Sequence, residues 1–238
     1  MSLNFYNSRI QPRTISTNKL VNFDEYNQTK DFANLPTSLG EKVSTLTNSK
    51  SDTPFVISSS SNAPRLLNLG LYFDDVSYLT MNTSGFSNIT QFSIWFDLSE
   101  AVQSGVYEEL FAFGSSKVYV NPTSNSAKFE PDEGTSTPMT ITGDLNGQGL
   151  NNLVLVVDKD MDRGYFFLNG TFMSDTSLGL AMPMATGIVL LLNSDMITSI
   201  YRFCVEDTTV SNLENRLIQQ YNDDLPYFTS FAGETWDR

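Results

Sequence analysis

The stretch NNLVLVVDKDMDRGYFFLNGTF, residues 151–172, decides the fold class. Residues 153–157 are an apolar, β-branched run of the kind a central strand takes. Residues 158–164, DKDMDRG, are turn chemistry: carboxylates tolerate turn dihedrals, and Gly164 is placed to supply a positive φ. Residues 165–168 resume an aromatic strand, and Asn169-Gly170 predicts a second tight hairpin turn. Two hairpins in tandem make an antiparallel meander, so a β-sandwich is expected around them. That is a statement about architecture, and function has to come from sites.

Working outward, strand signals recur from residue 53 onward. Residues 54–58, 66–73 and 77–81 read as strands, with a turn at Asp74-Asp75. In FSIWFDL, residues 92–98, Phe92, Ile94, Phe96 and Leu98 alternate with Ser93, Trp95 and Asp97, which assigns one set to the core face. Residues 110–113 and 117–120 pair around Gly114, weak strands follow near 127–129 and 139–141, and 187–192 and 199–205 close the series. One helix is legible. Ser211 and Glu214 fit a capping box, Leu213, Leu217 and Tyr221 share a helix face, and Asp223, Asp224 and Pro226 are expected to end it. The predicted fold is all-β: a two-sheet antiparallel jelly-roll sandwich with an extended N-terminal arm and one short C-terminal helix.

Residues 1–52 are rich in Ser, Thr and Asn and show no sustained period, so they are expected as the arm, with the sandwich, helix and tail occupying 53–238. Phe5, Tyr6, Ile10, Phe23, Tyr26 and Phe32 are isolated apolar residues. Each is expected to anchor the arm in a separate pocket of a partner, with few contacts to the sandwich core.

Charge and composition remove several function classes. Lys and Arg total 14 against 27 Asp and Glu, a formal charge of −13. That field repels phosphate backbones and anionic lipid, so neither nucleic acid nor a peripheral membrane surface is an expected partner. There is no histidine, which takes away the commonest general base and the usual transition-metal ligand. The one cysteine, Cys204, cannot form an intramolecular disulfide and is expected as a buried thiol, with an interchain bridge or reactive nucleophile as the alternatives. No apolar run approaches the roughly 18 residues of a membrane span, and MSLNFYNSRIQPRT lacks the apolar region of a secretory signal. Synthesis in a host cytoplasm is therefore expected, with any later life outside the cell reached by assembly and lysis.

The order of these pieces resembles the concanavalin A-like lectin/glucanase fold, in its laminin-G-like or pentraxin-like branch, over about residues 66–222. Leu71-Tyr72-Phe73-Asp74 with Ser77-Tyr78-Leu79 resembles the opening strand pair, and Phe92-Ser93-Ile94-Trp95-Phe96 a following strand. The hairpin around residues 153–170 resembles the family's central one. Tyr201-Arg202-Phe203, Val210-Ser211 and Glu214 resemble its closing strand and short helix. Two departures stand out: Gly149-Leu150-Asn151-Asn152 replaces a customary Trp-His type pair, and no Gly precedes the closing strand near Ile197-Thr198. The resemblance implies sugar binding, protein binding, glycan hydrolysis or a structural role in phage particles.

Among chemical candidates, Asp158, Asp160 and Asp162 alternate and could converge on Ca²⁺. Arg163 and Asn169 stand where an EF-hand would have Gly and Glu, so a solvated turn and no cofactor are expected. Hydrolysis needs two carboxylates across a cleft. Glu108 and Glu109 are adjacent and face opposite ways on a strand, while Asp97 and Glu100 straddle a strand end, so an enzyme is not expected. Trp95, Tyr119, Tyr165 and Trp236 could stack on sugar rings, although a strand Trp more often packs between sheets. The resulting expectation is a non-enzymatic virion protein, a head or tail component. Its arm would dock on other virion proteins in a homo- or hetero-oligomeric assembly. The alternative is a carbohydrate-binding module that recognises a surface glycan.

Overall fold

Period-two alternation of apolar and polar side chains gives each strand one face for a core, and two such sheets bury those faces against each other. A computed structural model describes residues 19–22, 26–30, 32–33, 37–48, 51–57, 59–67, 70–74, 77–82, 88–131, 138–178, 187–190 and 198–230. In chain order the strands are β1 (Lys19–Asn22), β2 (Tyr26–Lys30), β3 (Thr45–Asn48), β4 (Ser51–Val56), β5 (Arg65–Leu66) and β6 (Leu71–Phe73). Then come β7 (Leu79–Asn82), β8 (Ile89–Asp97), β9 (Glu108–Phe113), β10 (Ser116–Asn121), β11 (Ser126–Glu130) and β12 (Met139–Thr142). The last are β13 (Leu150–Asp158), β14 (Arg163–Leu168), β15 (Thr171–Ser177), β16 (Gly187–Leu190) and β17 (Thr198–Asp207), followed by helix α1 (Leu213–Thr229).

One sheet runs β15-β14-β13-β8-β17-β6-β5, with β1 also paired to β17; the other runs β12-β11-β10-β9-β16-β7-β4-β3-β2. Each pairing between described strands is antiparallel, and the molecule is a β-sandwich as the sequence predicts. Phe92, Ile94, Phe96 and Leu98 point into the shared core with Phe111, Phe113, Phe129, Leu155 and Phe203. Phe92 stacks on Phe113 at 4.3 Å between centroids.

The central hairpin forms as read, with a correction to its turn. β13 and β14 pair from Leu153↔Leu168 to Asp158↔Arg163. The positive φ falls on Asp162 (53°), not on Gly164, because the loop closes one residue before the ladder resumes. Packing at Gly164 is instead tight, since a Cβ there would sit 3.0 Å from Leu178 and 3.2 Å from Phe129. Asn169 and Gly170 both take positive φ (49° and 77°), the two-residue turn that matches strand twist. Residues 66–73 are not one strand. Leu67 N–H donates to Gly70 O, and β5 folds back on β6.

The described strands of the stretch expected as an arm pair with the sandwich's own sheets. β2 and β3 extend one sheet and β1 pairs with β17. Val43 and Leu46 are in the core, so residues before 53 contribute to it. Backbone pairing to a sheet edge explains why the apolar spacing carried no period: the ladder, rather than a hydrophobic face, holds these residues.

Helix α1 also differs from its reading. It enters through Asn212 in the left-handed region (φ 51°), without a side-chain cap, so Ser211 sits one residue too early to cap and the box does not form. It then runs past Asp223 and through Pro226 to Thr229. Leu213 and Leu217 pack on Val154, Val156 and Phe167, and Phe228 packs on Trp95 and Tyr201. This second apolar layer, on the outward face of the first sheet, offsets the hydrogen bond that Pro226 removes. Trp95 is 1% exposed; Phe228 stacks on it at 4.6 Å and Tyr221 at 5.5 Å. Burial pushes the Tyr221 phenol up from its usual range.

A bulge in β17 makes the interface polar as well. Ile200 stands opposite Phe96 and Arg202 opposite Trp95, so Tyr201 is the extra residue. The kink puts Tyr201 and Arg202 together beneath the helix. There Arg202 Nη1 donates to Asp224 Oδ2 at 2.6 Å, and its guanidinium lies 4.7 Å from the Phe228 ring centre. Cys204 is buried, opposite Ser93, as the buried-thiol reading expects.

Candidate functional site

The outward face of the second sheet brings the sequence candidate Tyr119 together with aromatic and charged partners. In β10, Val118 and Val120 face the core, so alternation turns Lys117 and Tyr119 outward. In β11 the same parity turns Lys128 and Glu130 outward. Tyr119 stands opposite Lys128 in β11 and opposite Glu109 in β9. A register shift between Val118 and Tyr119 leaves Leu110 and Phe111 both in the core, so Glu109 emerges beside Tyr119.

The loop after β8 completes the site. Asn121 Nδ2 donates to Gly105 O at 3.1 Å, and Gly105 N–H donates to Thr123 Oγ1 at 3.1 Å. Gln103 Nε2 reaches Gly147 O at 3.2 Å. These bonds pin the loop to neighbouring turns, and Gly105 is the residue that permits the bend, at φ 76°. The loop delivers Tyr107 to the edge of the platform, where its hydroxyl accepts from Ser126 Oγ at 2.9 Å. Val102 and Val106 stand exposed on the same loop.

Lys128 is the centre of the arrangement. Its ammonium lies 4.2 Å from the Tyr119 ring centre and 5.1 Å from that of Tyr107, within the range of cation–π attraction. It also donates to Glu130 Oε1 at 3.1 Å. Lys117 pairs with Glu109 at 3.5 Å. The lysines are about a quarter to a fifth exposed and Glu130 is 18% exposed, whereas Glu109 is only 8% exposed. Flat rings, two ammonium donors and two carboxylate acceptors thus share one partly exposed surface. Such a set can engage a polyhydroxylated ring by stacking and hydrogen bonds.

The remaining candidates lie elsewhere. Trp95 is corrected from a stacking residue to a buried one, since α1 covers it. It is also not between the sheets: its face is the outward one, roofed by the helix. Tyr165 is half-buried against the Val154, Val156 and Phe167 cluster. Trp236, Phe5, Tyr6, Ile10 and Phe23 lie outside the described residues; Tyr26 is described only as backbone in β2, and Phe32 is 43% exposed.

Asp158, Asp160 and Asp162 do not share a point. Asp158 is buried and accepts from Met161 N–H at 3.1 Å, Asp160 accepts from Asn88 Nδ2 at 3.0 Å, and Asp162 accepts from Ser177 Oγ at 2.6 Å. Beside them burial pushes the Lys159 ammonium down, partly countered by Asp160. The carboxylates considered for hydrolysis also diverge. Glu108 stands opposite core-facing Val120 and accepts from Ser104. Glu109 is on the outward face of that sheet. Asp97 caps the turn after β8 through Ser99 N–H, and Glu100 accepts from Tyr72. Sequence reasoning missed Tyr107, Lys117, Lys128, Glu109 and Glu130 as partners of Tyr119. Alternation along β10 and β11 exposed part of that signal; the loop that brings Tyr107 did not.

Solved structures share this architecture. The chain is similar to the botulinum neurotoxin serotype D ligand-binding domain, solved in complex with N-acetylneuraminic acid. The TM-score is 0.61 at 10% identity, over 87% of this chain and 51% of that one. It is similar to the binding domain of Paraclostridial mosquitocidal protein 1 (TM-score 0.57, 12% identity, 89% and 52% of the two chains). It is also similar to Trypanosoma rangeli sialidase (TM-score 0.61, 11% identity, 87% and 33%). The chain spans about half the length of the two toxin domains. No protein-family model matches it, and no curated protein matches it by sequence. The class the fold defines is a two-sheet antiparallel β-sandwich. Among the described residues no helix is long and apolar enough to cross a membrane.

Proposed function

We propose that this domain is a non-catalytic glycan-binding module, with the Tyr107–Tyr119–Lys128 platform as its site. One observation carries the reading: two tyrosine rings flank a lysine on a partly exposed sheet face, beside carboxylates able to accept from sugar hydroxyls. A structural neighbour solved with a bound sugar supports it. Asp97, Glu108 and Glu109, the carboxylates that the sequence offered for hydrolysis, diverge, which argues against hydrolysis by that set. Docking on a virus particle through residues 1–52 is compatible with this role, and the platform does not depend on it.

A glycan array followed by calorimetry tests the proposal. Binding is expected to weaken about tenfold or more, roughly 1.4 kcal/mol, in Tyr119→Ala, with the unfolding midpoint nearly unchanged. Binding that survives Tyr119→Ala and Lys128→Ala unaltered places the site elsewhere. Release of reducing sugar would overturn the non-catalytic assignment.

A further inference from the structure

We infer that the platform selects uncharged sugars and rejects acidic ones. The inference rests on the glycan-binding reading and is carried by the pairing of its charges. Each lysine on the face already has a carboxylate: Lys117 on Glu109 at 3.5 Å and Lys128 on Glu130 at 3.1 Å. A sugar carboxylate needs an ammonium partner, and each ammonium it could take is shared. Drawing Lys117 away would break its ion pair with Glu109, whose side chain is 8% exposed, and breaking a buried ion pair is costly. Drawing Lys128 away would set two carboxylates around one ammonium and remove it from the Tyr119 ring, 4.2 Å away. The formal charge of −13 adds a field of the same sign as the ligand.

An uncharged sugar meets none of these penalties. A Lys–Glu pair presents a donor and an acceptor side by side. A pair of vicinal hydroxyls satisfies both, accepting from the ammonium and donating to the carboxylate. The pair stays intact, and the apolar side of the sugar meets tyrosine surface. The neighbour bound to N-acetylneuraminic acid carries an acidic sugar, so this platform would differ from it in the class of ligand.

The test compares a galactose-terminated glycan with the same glycan capped by N-acetylneuraminic acid, by calorimetry on the full chain at about 20 and 300 mM NaCl. These concentrations bracket strong and weak screening. The uncapped form is expected to bind, with affinity changing less than about threefold between the two salts. The capped form should be at least about tenfold weaker. Glu130→Gln, at a partly exposed position that should tolerate it, is expected to narrow that gap by releasing Lys128. Tighter binding of the capped form, weakening with salt, would overturn the inference while leaving glycan binding intact, as would an unchanged gap in Glu130→Gln. Binding of neither form, nor of any array glycan, would overturn the glycan-binding reading and this inference with it.

Discussion

Replacing Asp224 by Ala tests whether α1 is held by charge as well as by apolar packing. Arg202 and Asp224 meet at 2.6 Å with side chains 1% and 2% exposed, so neither charge can turn to water when its partner is removed. Truncating one member of a buried ion pair costs about 3–5 kcal/mol, because the other charge loses its counter-ion in a buried site. A domain is typically stable by only about 5–15 kcal/mol, so the loss would be a large share of the total. At about 2–4 °C per kcal/mol for a chain of this size, the melting temperature should fall by roughly 6–20 °C. Urea unfolding monitored by circular dichroism gives the free energy. Tryptophan fluorescence reports the local event, since Trp95 lies under the helix between Tyr221 and Phe228. The double variant Arg202→Met, Asp224→Leu should recover most of the loss, because an apolar pair of similar volume needs no counter-ion. A loss under about 1 kcal/mol for Asp224→Ala, with unchanged emission, would show that the pair is solvated and that packing alone holds α1.

Gly170→Ala should destabilise by about 1–2 kcal/mol from the left-handed backbone alone. A further loss is expected because the new Cβ would lie 2.4 Å from the Tyr221 ring; a neutral result in urea unfolding would refute the turn geometry. Pro226→Ala should raise stability by up to about 3 kcal/mol, the difference between the two residues inside a helix, and no gain would mean that the helix ends before residue 226. Calcium added to metal-free protein should leave the melting temperature unchanged to within about 1 °C. Binding at 100 times the dissociation constant would add about 2.7 kcal/mol, and a rise of several degrees abolished by Asp160→Asn would establish a site in the β13–β14 turn.

The sequence by itself determined what depends on neighbours along the chain. The β13–β14 hairpin, the Asn169-Gly170 turn and the core-facing set Phe92, Ile94, Phe96 and Leu98 were legible because side-chain direction in a strand repeats every two residues, and because a two-residue turn demands particular dihedrals. The start of the helix face at Leu213 and Leu217 was legible for the same kind of reason. Only the tertiary structure decided where that regularity breaks or is overruled. The bulge at Tyr201 carries no local signature, yet it places Arg202 under Asp224. Pro226 reads as a stop, but Phe228 packing on Trp95 holds the last turn helical. Tyr119 stood out as an aromatic on a strand; its partners Tyr107, Lys128 and Glu109 come from a loop and two other strands, joined by register. Long-range pairing and burial set those outcomes, and the energies involved exceed the local preferences from which a sequence is read.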